Sequence, residues 1–162
     1  MGGNSAQKLK SVKSQCCNKC GSKKSCSWKG LRHVYVIELT RDVLKSKDYC
    51  REDRGRVTDD TRFFYVGQTK HRVECRFRQH RRKKAGMARG FKCTCENGTP
   101  QARSFNYAQG NKFVRRYALK PGALRPELFF HYNPIQGRKA ALAMEQKVSE
   151  ELRSLGHLVH TA

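Results

Sequence analysis

Negative charge is what this chain has least of. Asp and Glu together number 13 against 35 Lys and Arg, a formal net charge of +22 over 162 residues. A compact domain with that charge repels itself unless a polyanion is near, so the composition points to nucleic acid. Membrane phosphates are the weaker alternative, because no Lys/Arg-rich amphipathic helix with an apolar aromatic face is present. Long apolar runs are missing as well. No stretch of 18 apolar residues occurs, which excludes a spanning helix. The opening MGGNSAQKLKSVKSQ lacks an apolar h-region, so no secretory signal is expected and the expected location is cytoplasmic. Apolar residues make up only 37% of the chain, enough for one domain with one modest core.

Cysteine is the exception to this scarcity, with 8 in the chain. Without an export signal, metal ligation by thiolates is expected ahead of disulfides or free thiols. Cys17-x-x-Cys20, with Gly21 just after, has the form of a zinc half-site, in which two thiolates reach one tetrahedral ion across a tight turn. Cys93-x-Cys95 is the candidate second half. Cys26 is a further candidate, and Cys16 could replace Cys17. Such a structural zinc would pin an N-terminal arm to an insertion and build a basic clamp. Cys50 and Cys75 are not counted as ligands.

The organisation follows from composition and periodicity. Residues 1–31 form a basic, Cys-containing arm, and 32–162 the folded domain. Residues 86–111, with several glycines and no apolar periodicity, form an insertion. HVYVIEL (His33 to Leu39) and FFYVGQT (Phe63 to Thr69) read as strands, joined by a long charged loop. Val73 to Lys84 is a very basic helix. Phe113 to Leu119 is a short helix, and the apolar run Leu128 to Tyr132, closed by Asn133-Pro134, is a third strand. From Arg138 to Leu155 an apolar stripe of Ala141, Met144, Val148, Leu152 and Leu155 marks a helix capped by Gly156. The closing LVHTA leaves room for a further short strand. The expected fold is α/β (α+β): a small three-stranded antiparallel sheet flanked by helices.

Several residues have side chains suited to phosphate and metal-ion chemistry. Arg76 and His80 are i, i+4 neighbours, which puts a phosphate-binding guanidinium beside a proton-carrying imidazole. Glu145 sits beside Met144 at the edge of the helical stripe, where it could face a cleft. One carboxylate plus waters is a usual way to hold Mg²⁺. Lys70, Arg72, Arg78, Arg81 and Arg82 surround the same region as candidate phosphate contacts. A solvated Glu, core tyrosines and a merely solvated basic face are the plainer alternatives.

Val34-Tyr35 on one strand, Tyr65-Val66-Gly67 on the next, Arg76-Phe77-x-x-His80 on the following helix and Glu145 on the last one form an ordered set. Over about residues 32–160 the chain resembles the GIY-YIG nuclease superfamily. The resemblance implies that Tyr35 and Tyr65 point at a water beside a metal held by Glu145. Tyr35 would be the phenolate-like base and Tyr65 would hold the water or phosphate in line. It further implies that Arg76 bears transition-state charge, that His80 polarises a tyrosine or assists proton transfer, and that Gly67 lets the backbone approach DNA or leave the strand sharply. Three positions depart from the family pattern: His33 stands where the signature has Gly, residues 36–64 form a long connection, and His157 lies where many members carry Asn.

The expected activity is that of an endonuclease using Mg²⁺ or Mn²⁺ on double-stranded DNA, sequence-specific in the manner of a restriction enzyme. Arg89, Arg103, Asn106 and Gln109 would reach base edges. A homodimer would be needed to cut both strands. The alternatives are a structure-selective or non-specific repair or mobile-element nuclease, and a non-catalytic, zinc-containing nucleic-acid-binding module.

Overall fold

The computed structural model describes residues 31–81 and 110–161. The predicted zinc ligands Cys16, Cys17, Cys20, Cys26, Cys93 and Cys95 lie outside the described residues. So do Arg82, Arg89, Arg103, Asn106 and Gln109.

The two β-branched and aromatic runs form the centre of the sheet. Strand β1 (Leu31–Leu39) pairs antiparallel with β2 (Phe63–Thr69), with Tyr35 opposite Gly67 and Ile37 opposite Tyr65. Directly opposed residues share a face, so Tyr35, Ile37, Tyr65 and Gly67 lie on one side.

The sheet is larger and of different topology from the expected one. It has four strands in the order β3-β1-β2-β4, with β3 at Ile135–Gln136 and β4 at Leu158–Thr161. Strand β4 runs parallel to β2, with Tyr65 in register with His160, so the sheet is mixed rather than antiparallel. A parallel neighbour needs a long crossover. The chain between β2 and β4 supplies it, with helices α1 (Val73–Arg81), α2 (Lys112–Tyr117) and α3 (Arg138–Ser154).

The expected third strand, Leu128 to Tyr132, is instead two short 3₁₀ turns. The outer edge of β1 is already taken. Leu119 N–H donates to Glu38 O, Glu38 N–H to Ala123 O, and Arg125 N–H to Val36 O. Further along, the Asn133 side chain closes both main-chain groups of Val34, donating to its O and accepting from its N–H at 2.8 Å each. No ladder is left for residues 128–132, whose Phe129 is buried in the core.

The long β1–β2 connection is anchored by Tyr49, which is fully buried. Its hydroxyl meets the carbonyls of Phe64 and Leu158 at 2.9 Å each. Helix α3 packs across β1, β2 and β4 through Ala141, Val148 and Leu152. Burying side chains of that kind contributes about 1.5–3 kcal/mol each for the larger two. Leu155, expected on the same stripe, is 70% exposed. The helix has ended there. Gly156 takes φ +84° and His157 N–H reaches back to Leu152 O, a Schellman stop that turns Leu155 away from the sheet.

Candidate active site

The shared face of β1 and β2 holds a buried polar cluster. Helix α1 delivers His80, which is 0% exposed, and its Nε2 lies 2.8 Å from Tyr35 Oη. The tyrosine rings sit against the imidazole, Tyr65 edge-on at 5.3 Å between centroids and Tyr35 at 5.9 Å. Arg76, one turn earlier, bears on the Tyr35 hydroxyl through its charge, and its Nη1 donates to Gln79 Oε1 at 2.8 Å. The Tyr35 and Tyr65 rings pack against each other with centroids 6.1 Å apart. The four residues that the resemblance selects on β1, β2 and α1 are thus interlocked.

Of the two uses expected of Gly67, the structure rules out the strand exit, because the residue lies inside β2. A Cβ there would stand 2.7 Å from Tyr35 Oη and 2.9 Å from its Cζ. The missing side chain is the space in which the end of the Tyr35 ring sits.

Burial, with the Arg76 charge second, pushes the His80 imidazole down to about 3, so it is neutral at ordinary pH. Burial pushes the Tyr35 phenol well above its usual range. The Tyr65 hydroxyl adds to that rise and Arg76 opposes it. Tyr65 is also raised by burial, while the Tyr35 hydrogen bond and Arg76 pull it down and Glu145 pushes it up. Neither phenol is acidified by the protein alone; a phenolate role needs additional positive charge.

Glu145 is 6% exposed, and its charge bears on Tyr65. It borders a cavity of about 320 Å³ together with Leu142, Gln146, Ser149, Glu150, Arg153 and Thr161. A buried carboxylate in a wall rich in oxygen donors and open to water fits a hard cation such as Mg²⁺, which keeps several of its waters. Among the described residues no group of three or more His, Cys, Asp or Glu is placed to hold a metal ion. A single-carboxylate site does not need one.

The predicted phosphate contacts separate by depth. Lys70, Arg78 and Arg81 are exposed, whereas Arg72 is half-buried. His33, at the position where the GIY-YIG signature has Gly, is half-buried opposite Thr69. His157 does not join the tyrosines. Its Nδ1 accepts Arg62 N–H at 3.4 Å and its ring packs edge-on to Phe64.

Two residues of the cluster were not singled out from the sequence. Asn111, the last residue of the expected insertion, caps α2 by accepting from Phe113 and Val114 N–H, and its own N–H donates to His80 Nδ1 at 2.8 Å. His160 stacks on Tyr65 with centroids 6.1 Å apart. An Asn just before an apolar run is a cap signal. Nothing local shows that its amide meets a histidine 31 residues away.

No family model, curated protein or solved structure matches this chain. Among the described residues, no helix is long and apolar enough to cross a membrane.

Proposed function

We propose that the chain is a metal-dependent endonuclease that hydrolyses phosphodiester bonds of double-stranded DNA with a site of the GIY-YIG kind. The observation that carries this reading is the interlocked set of Tyr35, Tyr65, Arg76 and His80 around the space left by Gly67. Core tyrosines do not ordinarily converge on a buried histidine and a half-buried arginine beside a buried carboxylate.

Arg76 is the group to meet a phosphoryl oxygen, since its planar fork suits bidentate contact. The tyrosine hydroxyls orient the attacking water, which forms a new P–O bond as the bond to the leaving sugar oxygen breaks. His80, neutral and buried, orients Tyr35. Glu145 would hold Mg²⁺ or Mn²⁺, which when bound supplies positive charge at the phosphoryl oxygens. Lys70, Arg72, Arg78 and Arg81 would hold the DNA backbone on either side. Restriction-type specificity, a homodimer and a structural zinc complete the reading, on the strength of the Arg, Asn, Gln and Cys residues of the arm and insertion.

The test is cleavage of plasmid and phage DNA by the wild type and Glu145→Ala, with Mg²⁺ and with EDTA. Discrete fragments from the wild type with Mg²⁺ alone are expected, with Glu145→Ala at least about 10³-fold slower. A smear or nicking would keep the nuclease and discard restriction. No cleavage, with an equal salt-sensitive gel shift from both proteins, would overturn the enzyme and leave a nucleic-acid-binding module.

A further inference from the structure

Both ring nitrogens of His80 are engaged, and one of the two bonds has a fixed direction. Nδ1 lies 2.8 Å from the Asn111 backbone nitrogen. A backbone N–H only donates, so Nδ1 is an acceptor and carries no proton. A neutral imidazole has one proton, which is then on Nε2. Nε2 lies 2.8 Å from Tyr35 Oη, so that N–H points at the phenol oxygen and the Tyr35 proton lies away from His80. Charging the ring would put a proton on Nδ1 against the one on the amide. The imidazolium is therefore excluded for as long as the Asn111 bond stands. Burial acts in the same direction, since His80 is fully buried.

The donor itself is held in place. Asn111 caps α2, and its Oδ1 accepts from Phe113 N–H at 2.8 Å and from Val114 N–H at 3.2 Å. Phe113 and Val114 are buried in the core. The cap thus fixes the residue whose N–H meets the ring. The groups that face His80 are Tyr35 from β1, Tyr65 from β2, the Asn111 amide before α2, and Arg76, whose charge bears on it from its own helix.

We propose that the Asn111 amide locks the tautomer of His80, which makes His80 a permanent Nε2–H donor that positions the Tyr35 phenol and never takes its proton. The resemblance leaves two tasks open for His80, polarising a tyrosine and assisting proton transfer. A ring whose lone pair is already bonded to an amide can do the first and not the second. It also steadies a developing phenolate, because an N–H bonds an anionic oxygen more strongly than a neutral one. Asn111 and His80 are both positioning residues. Their bearing on cleavage rests on the nuclease reading; the lock does not.

The lock is tested without DNA. In the full-length protein labelled with ¹⁵N, NMR should show a neutral His80 ring protonated on Nε2 from pH 5 to pH 8. It should also show a ¹⁵N–¹⁵N coupling across the bond from the Asn111 amide to Nδ1. A proton on Nδ1, a ring that titrates in that range, or an absent coupling overturns the lock, and none of these readouts needs a variant. Asn111→Ala keeps the N–H and should keep the Nε2–H form. Asn111→Pro removes the N–H and should admit the Nδ1–H form, with Tyr35 then donating to Nε2. A folded proline variant with the Nε2–H form alone overturns the part given to the amide.

The positioning role is tested by kinetics. At position 80, Gln offers an N–H donor but cannot carry a proton, and Phe offers neither function. His80→Gln should keep kcat within about 10-fold of wild type with the same pH profile, whereas His80→Phe should lose about 10²-fold. Equal losses in the two variants, with a limb of the wild-type pH profile gone, would show that His80 carries the proton and overturn the positioning role. A wild type that does not cleave removes that role together with the nuclease reading, and the NMR experiment decides the lock separately.

Discussion

On β1, Tyr35 and Glu38 stand three residues apart, point to opposite faces of the sheet, and each organises a buried polar cluster. The Glu38 carboxylate receives Arg62 Nε at 2.8 Å and Nη2 at 2.7 Å, and a second guanidinium from Arg125. That cluster is charged and closed: two cations and one anion pair with one another and offer nothing further. The Tyr35 cluster is built mostly of neutral groups and is directional. It runs from the Asn111 amide through His80 to Tyr35, whose ring packs against Tyr65, on which the charges of Arg76 and Glu145 bear. The difference separates architecture from chemistry. A saturated ion cluster ties β1 to the β2 entry and to residue 125, whereas a hydrogen-bond chain that ends on Tyr35 holds a hydroxyl in one orientation.

The largest effect is expected from breaking the Tyr35 side through a neighbour that has no chemistry of its own. In Gly67→Ala the new methyl would meet the end of the Tyr35 ring at 2.7 Å and 2.9 Å. The Tyr35 ring is fully buried and its hydroxyl is bonded to His80 Nε2 at 2.8 Å, so it is not a flexible tip that can yield. Cleavage should fall by about 10²-fold, with about 1–3 kcal/mol of stability lost, measured by single-turnover rates and denaturant melts. Wild-type rates in this variant would show that the Tyr35 position does not matter.

Glu38→Gln breaks the other cluster. Two guanidiniums would lose their shared anion, but the Arg62 side chain is 44% exposed, so water screens part of the loss. A cost of about 1–2 kcal/mol is expected in urea melts, with cleavage per folded molecule unchanged. Equal damage to activity and stability would abolish the distinction between the clusters.

Both clusters show what a sequence does and does not disclose. Strand β2 was legible as a nearly unbroken aromatic and β-branched run, and helix α3 because its apolar side chains repeat at the helical period. That β1 and β2 are antiparallel neighbours was legible, but the register that sets Tyr35 opposite Gly67 was not. The set Tyr35, Tyr65, Arg76 and His80 was legible as a motif, and the structure brings those residues together. Tyr49 was not, because a single anchoring ring in a charged loop has no period. The apolar run 128–132 misled because burial and ladder pairing are separate requirements; its side chains pack although β1 has no free edge. The parallel placement of β4 depends on a crossover that only the whole chain determines. Asn111 was hidden because the atom that matters is a backbone N–H, the same in nearly every residue type.

Acid should undo the two clusters in different pH windows. His80 falls from 6.5 to about 3 on folding, so the stability of its neutral ring is complete above pH 6.5 and is lost progressively as pH falls toward 3. His33, His157 and His160 are lowered too and add to this upper window. For Glu38, burial acts to raise the carboxyl, but Arg62 and Arg125 outweigh it and hold it below 4.5. Its contribution is complete above pH 4.5 and is lost only as pH falls through the lowered value. The slope of unfolding free energy is at most about 1.4 kcal/mol per pH unit for each group. His80→Gln should flatten the curve from pH 6.5 down toward 3, and Glu38→Gln only below pH 4.5. A single common window in urea melts across pH would contradict the assignment.

The smallest effects are expected on the outer face of α1, where the same comparison recurs within one helix. Arg76 is half-buried and engaged with Tyr35, while Arg78 and Arg81 are exposed, the latter with its guanidinium 5.6 Å over the Phe77 ring. An exposed arginine that touches a phosphate releases a counterion and little else. Arg78→Ala and Arg81→Ala should therefore each weaken DNA binding a few-fold, lower the slope of log K against log salt by about 1, and leave kcat alone. Arg76→Ala should change the salt slope no more than either of them, yet remove most of kcat, because its charge is directed at the tyrosines and the reacting phosphate. If the salt slope and kcat fall together in all three variants, α1 is one uniform basic face, and its inward side has no chemistry apart from its charge.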